Sequence, residues 1–201
     1  YSAYGVGVLK DRTSSKNRAM GNSGFAVRDP LFLNNLNPAA STAIQQPTQV
    51  TEFGFYIESD RYSNKTQSTS STTGNITNLN LWLRFHKRWA GSIGANPFST
   101  VKYNIAATQS AGDGAALTYS GKGGITQFYF GNGVQVTKNL SIGATASFLH
   151  GSIERLETIT SGYATGTQLN NLIAVNQGML DFGLQYTFTL SETKSLTFGA
   201  I

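Results

Sequence analysis

From residue 51 onward, apolar side chains recur at every second position, the period of a strand with one apolar face. Phe53, Phe55 and Ile57 alternate with Glu52, Gly54, Tyr56 and Glu58 over residues 51–60. Leu79, Leu81, Leu83 and Phe85 alternate with Asn78, Asn80, Trp82, Arg84 and His86 over residues 76–88. Further runs cover residues 93–106 (Ile93, Val101, Tyr103, Ile105), 125–136 (Phe128, Phe130, Val134, Val136), 140–150 (Leu140 to Phe148) and 176–190 (Leu180 to Leu190). A seventh begins at Ser195 with Leu196 and Phe198. Most runs reach roughly 10 to 15 residues, where globular strands average about five or six and strands that cross an outer membrane need about 9 to 11.

The connections alternate in length. Long Ser/Thr/Asn-rich segments at 61–75, 107–124 and 152–175 read as loops, while the joins at 87–91, 137–139 and 191–194 are tight turns. Outer-membrane barrels show this asymmetry, with short periplasmic turns and long external loops. The apolar register of the six complete runs carries no charge, and the opposite register carries Glu52, Glu58, Asp60, Arg84, His86, Lys102 and Asp181. A lipid-facing surface excludes charge because Arg or Lys at the bilayer midplane costs about 2–4 kcal/mol. The inner face of a soluble β-sandwich would pass the same charge test; strand length and loop asymmetry favour the membrane.

Composition narrows the chemistry. The chain has 201 residues, 15 basic and 10 acidic groups for a net charge of +5, 22 glycines and no cysteine. Disulfides and cysteine-based zinc sites are excluded. The basic residues are scattered singly and form no stripe with aromatics, so nucleic acid is not an expected partner. No apolar run approaches the roughly 20 residues of a membrane helix, and no basic-then-apolar leader opens the chain. His86 and His150 lie on different strands without a carboxylate at ligand spacing, so no metal is expected. Glu154 and Glu157 have no partner constellation, and Gly121-Lys122-Gly123-Gly124 precedes a strand rather than the helix of a phosphate loop. The expectation is a non-enzyme without catalytic residues or cofactor.

Folding residues 61–75 into a hairpin sets Glu52 opposite Arg84, an expected cross-strand ion pair; the alternative is two solvated side chains. Trp82 is expected to point inward, and Trp89, Tyr103 and Tyr186 to join an interfacial aromatic girdle.

Residues 1–50 lack the alternation. They contain Gly5, Gly7, Gly21, Gly24 and short apolar clusters such as Phe25-Ala26-Val27 and Leu31-Phe32-Leu33. An irregular but apolar segment needs shelter, which the inside of a barrel supplies. The run Arg18-Ala19-Met20-Gly21-Asn22-Ser23-Gly24-Phe25, followed by Asn37-Pro38-Ala39, resembles the N-terminal hatch of the FadL-like outer-membrane transporters of hydrophobic compounds. The opening Tyr1 to Leu9 resembles members of that family from Bacteroidetes.

The resemblance implies an all-β, antiparallel up-and-down barrel in the bacterial outer membrane, with about 14 strands in the intact protein and about seven here. Residues 1–50 would be the hatch and 51–201 the first half of the barrel. It also implies membrane lipids and a hydrophobic, fatty-acid-like or aromatic ligand as partners, with passive transport and lateral exit. Within the run containing Gly94, Asn96, Pro97 and Phe98, proline lacks the N–H that a closed ladder requires. The break reads either as a lateral opening or as a bulge at the rim. A family barrel that serves instead as a structural or recruiting subunit of an outer-membrane secretion or biogenesis complex is the alternative function. Seven strands and a run that stops at Ile201 read as the N-terminal half of a longer chain.

Overall fold

The computed structural model describes residues 4–11, 13–44, 49–63, 68–108, 116–161 and 164–201. Among the described residues, seven strands form a meander in which each pairs with its neighbours in sequence: β2 (Gln49–Ser63), β3 (Ser68–His86), β4 (Trp89–Thr108), β5 (Ala116–Gln135), β6 (Leu140–Ser161), β7 (Ala164–Thr189) and β8 (Ser195–Ala200). A two-residue β1 (Val8–Leu9) pairs with β4 outside that order. A short helix α1 (Ser15–Ala19) and a 3-10 helix (Pro38–Ala43) precede β2. The all-β antiparallel class follows from the alternation; no described helix is long and apolar enough to cross a membrane, which says nothing of strands.

The strands are longer than the apolar runs, reaching 26 residues in β7. Much of the sequence expected as long loops is strand: β2 and β3 stay in register to Ser63↔Ser68, β5 starts at Ala116, and β6 and β7 fill most of 152–175. Residues 64–67, 109–115 and 162–163 of those segments lie outside the described residues. Ser, Thr and Asn erase the apolar signal without weakening main-chain pairing, and β-branched Thr favours it. The tight turns stand as expected: Leu140 O accepts from Val136 N (2.9 Å), and Lys194 O from Leu190 N (2.9 Å).

One face of the sheet is apolar and exposed, the other polar and buried. Phe55, Ile57 and Phe182 are 69%, 73% and 67% exposed, whereas Asn78, Asn80, Gln127, Ser141 and Gln185 are buried. A sandwich would bury the phenylalanines, so the sandwich reading fails. Trp82 is buried, as expected, and Trp89 is half-exposed against the Phe85 ring, with centroids 4.8 Å apart.

Two registers differ from expectation. Asn80, not Arg84, lies opposite Glu52 in the β2–β3 ladder, which shifts between Gly54 and Phe55. In β4, Ile93 and Val101 were expected on one face, yet Ile93 is exposed and Val101 buried. Asn96 and Ser99, three positions apart, are both buried, so the alternation slips by one residue across Pro97 and Phe98.

The chain divides into two compact units. The first (Tyr1–Asp11, Pro97–Phe128, Phe148–Met179) centres on Val101, Ile125, Leu149 and Ile153, with Phe98, Tyr103, Ile173 and Val175 packed around them. The second (Arg12–Asn96, Tyr129–Ser147, Leu180–Ile201) contains a cluster of Leu33, Ile44 and Trp82, flanked by Val50.

Candidate functional site

Within the second unit, the N-terminal segment lies on a row of glycines, one from each of four adjacent strands: Gly133 (β5), Gly143 (β6), Gly183 (β7) and Gly199 (β8). A Cβ added at these positions would fall under 3.0 Å from Ser41 Oγ, the Pro38 carbonyl carbon, Asn37 Oδ1 and Phe25 O respectively. Glycine within a strand permits this approach of one backbone to another.

Asn37, Pro38 and Ala39 are all buried at this contact. Asn37 Oδ1 accepts from Ala39 N (3.0 Å), capping the 3-10 helix, while Pro38 occupies a first-turn position that needs no N–H donor. The same side chain's Nδ2 donates to Phe25 O (2.9 Å), Leu184 O (3.1 Å) and Ala200 O (3.3 Å). A cap that must accept on one side and donate on the other requires an amide; Asp or Ser supplies only part of this.

Gly21 and Gly24 shape the segment before it. After α1, Gly21 (φ 71°) donates to Arg18 O (3.0 Å) and Asn22 N to Asn17 O (2.9 Å), the paired bonds of a Schellman ending. Gly24 is also at positive φ, and a Cβ there would press on Asn17. Asn17 Nδ2 donates to Asn34 Oδ1 (2.7 Å), and Asn34 Nδ2 to Gly24 O (2.7 Å) and Val27 O (2.9 Å), so two buried amides fix the reversal. Lys16 pairs with Asp29 and lies 4.6 Å from the Phe32 ring centroid. Desolvation pushes the Asp29 carboxyl up, but its bond to Lys16, the Leu31 amide and the Lys16 charge together hold it below the usual range.

Sequence reasoning missed Arg28 and Gln185. Arg28 donates to Gln185 Oε1 (2.9 Å), Ser141 Oγ (3.2 Å) and Thr42 Oγ1 (2.9 Å). Gln185, fully buried on β7, donates to Phe25 O (2.8 Å). Burial lowers the Arg28 pKa from its usual value, and these partners are all neutral. The signal for this contact was the glycines at inward positions of successive strands.

The remaining candidates separate. Glu52 Oε1 accepts from Ser15 N (2.8 Å) and Oε2 is buried without a hydrogen-bond partner. Arg84 donates to the Ile44, His86 and Lys87 carbonyls. The expected Glu52–Arg84 pair is therefore not formed: the register separates the residues, and each finds main-chain partners. Gly94 lies opposite Asn80 and leaves room for the Tyr129 ring, whose hydroxyl bonds to Asn80 Oδ1 (2.9 Å) and Asn35 Oδ1 (3.2 Å). The β3–β4 ladder ends at Leu79↔Ala95, just before Asn96 and Pro97. Phe98 belongs to the Val101 cluster of the first unit. Among the described residues, no group of three or more His, Asp or Glu side chains could hold a metal.

A family model described as BamG matches residues 1–201. Comparisons with curated proteins and with solved structures gave no match. The match corrects the FadL-like assignment and the hydrophobic-transport role drawn from it: a hatch-like glycine run and an Asn-Pro-Ala cap are backbone devices that do not specify what a barrel does. Matched along its whole length, the chain belongs to the BamG family.

Proposed function

We propose that this chain is a non-catalytic structural subunit of the BAM complex, the outer-membrane biogenesis machinery that the family name denotes. The observation that carries the proposal is the family match over residues 1–201. The exposed apolar face of the sheet supports a lipid-facing barrel wall, since a contiguous apolar surface of this kind is not left in water. Residues 25–42, held on the glycine row by hydrogen bonds from Asn37 and Arg28, act as an inward plug. Within the first unit, Val101, Ile125, Leu149 and Ile153 form a packed apolar cluster, which suits a structural role.

The test is purification of the tagged full-length protein from outer membranes in mild detergent, combined with its depletion in cells. The other BAM subunits should copurify in fixed ratio, and depletion should lower the amounts of other outer-membrane barrels. A protein that elutes alone and whose depletion leaves those barrels unchanged would overturn the assignment.

A further inference from the structure

Past Pro97, one edge of β4 is occupied by the chain's own N-terminal segment. Val8 pairs with Thr100 and Leu9 with Ser99, and Lys10 N donates to Phe98 O (2.9 Å). The other edge of β4 belongs to β5 at this level, because a Cβ on Gly124 would press against Ser99 O. Residues 8–10 therefore lie on the edge of β4 opposite β5.

We infer that the Phe98–Thr100 edge of β4 is a binding site for an extended polypeptide strand, and that residues 4–10 are its resident, exchangeable occupant. Main-chain pairing supplies the recognition, as in strand addition to any open sheet edge. Two further contacts make it selective. Gly7 (φ 88°) lies so close that a Cβ would fall under 3.0 Å from Val101 Cγ2 and Thr100 O, so the incoming strand must have glycine there. Arg155 Nη2 donates to Gly5 O (2.6 Å), clamping the turn that Gly7 N closes onto Tyr4 O (3.2 Å).

Exchange follows from how little the occupant buries. The strand is two residues long, and Tyr4, Val8 and Leu9 are exposed. A segment with few buried apolar contacts opens at low free-energy cost. The ligand class is thus an extended segment of a second polypeptide with glycine at the position of Gly7. The inference does not depend on membership of any complex.

The test uses the full-length protein carrying Ser99→Cys and a synthetic peptide of residues 1–11 carrying Leu9→Cys. Oxidation should give a peptide–protein adduct, and a Gly7→Val peptide should give at least tenfold less. Arg155→Met in the protein should also reduce the yield. A variant lacking residues 1–11 should lose hydrogen-exchange protection at residues 98–101 and regain it with the peptide. Adduct no greater than with Ser191→Cys on an exposed turn, or equal yields from the glycine and valine peptides, would overturn the inference.

Discussion

Gly183 and Asn37 meet so closely that the strand residue cannot carry a side chain: a Cβ at Gly183 would fall under 3.0 Å from both Asn37 Oδ1 and Pro38 Cδ. Gly183→Val should therefore unseat residues 25–43 and destabilise the protein by about 1–3 kcal/mol, as overpacking does. Gly178 on the same strand has nothing within 4 Å of a built Cβ, so Gly178→Ala should be neutral. Limited proteolysis of the N-terminal segment, with urea unfolding of both variants, checks the contrast.

Asn37→Asp preserves shape and the Oδ1 cap but removes the donor that serves Phe25, Leu184 and Ala200. It sets a carboxylate against three carbonyl oxygens, and the expected loss is about 3 kcal/mol or more. A midpoint of thermal unfolding equal to wild type would contradict this role.

Arg28 and Gln185 should be energetically coupled. Arg28→Gln and Gln185→Leu each leave buried partners unmatched, so the double variant should lose less than the sum, with a coupling of about 0.5–3 kcal/mol. A double-mutant cycle in urea measures it, and strict additivity would mean that the two groups merely adjoin.

Acid should loosen the α1–Asp29 link. The Asp29 carboxyl is held below its usual value of 3.8, so its contribution is present above that value and is lost as pH falls through the lower folded-state value. Asp29→Asn should remove this pH dependence. Amide exchange at Leu31 and Phe32 as a function of pH reads it directly.

Phe182 tests the membrane assignment. In a lipid-facing wall, Phe182→Arg should cost about 2–4 kcal/mol and sharply reduce recovery of folded protein in bilayers. In a protein surrounded by water the same change would improve solubility.

The strands were readable wherever one face is apolar, because Phe53, Leu81 or Phe182 recur with period two against polar partners. The tight turns and the inward Trp82 were legible for the same reason. Where Ser, Thr and Asn occupy both faces, as in 68–75, alternation vanishes although the ladder continues, and those stretches read as loops. The face change between Ile93 and Val101 was hidden because both numbers are odd; only the slip at Pro97 reverses them. At the site, Asn37-Pro38-Ala39, Gly21 and Gly24 stood out locally. Arg28, Gln185 and the four strand glycines acquire meaning only through pairing of distant segments. The mistaken transport role came from a backbone motif, which reports how a segment is seated and not what its owner does.

The seating of Asn37 also orders events in time. Its amide bonds reach Leu184 and Ala200, 147 and 163 positions further along the chain. Residues 25–43 cannot settle until strands far along the chain have formed, because two of their four glycine rests belong to β7 and β8. Such distant closure is slow. Until β7 and β8 are in place, the acceptors at Leu184 and Ala200 are missing and the Asn37 amide is unsatisfied.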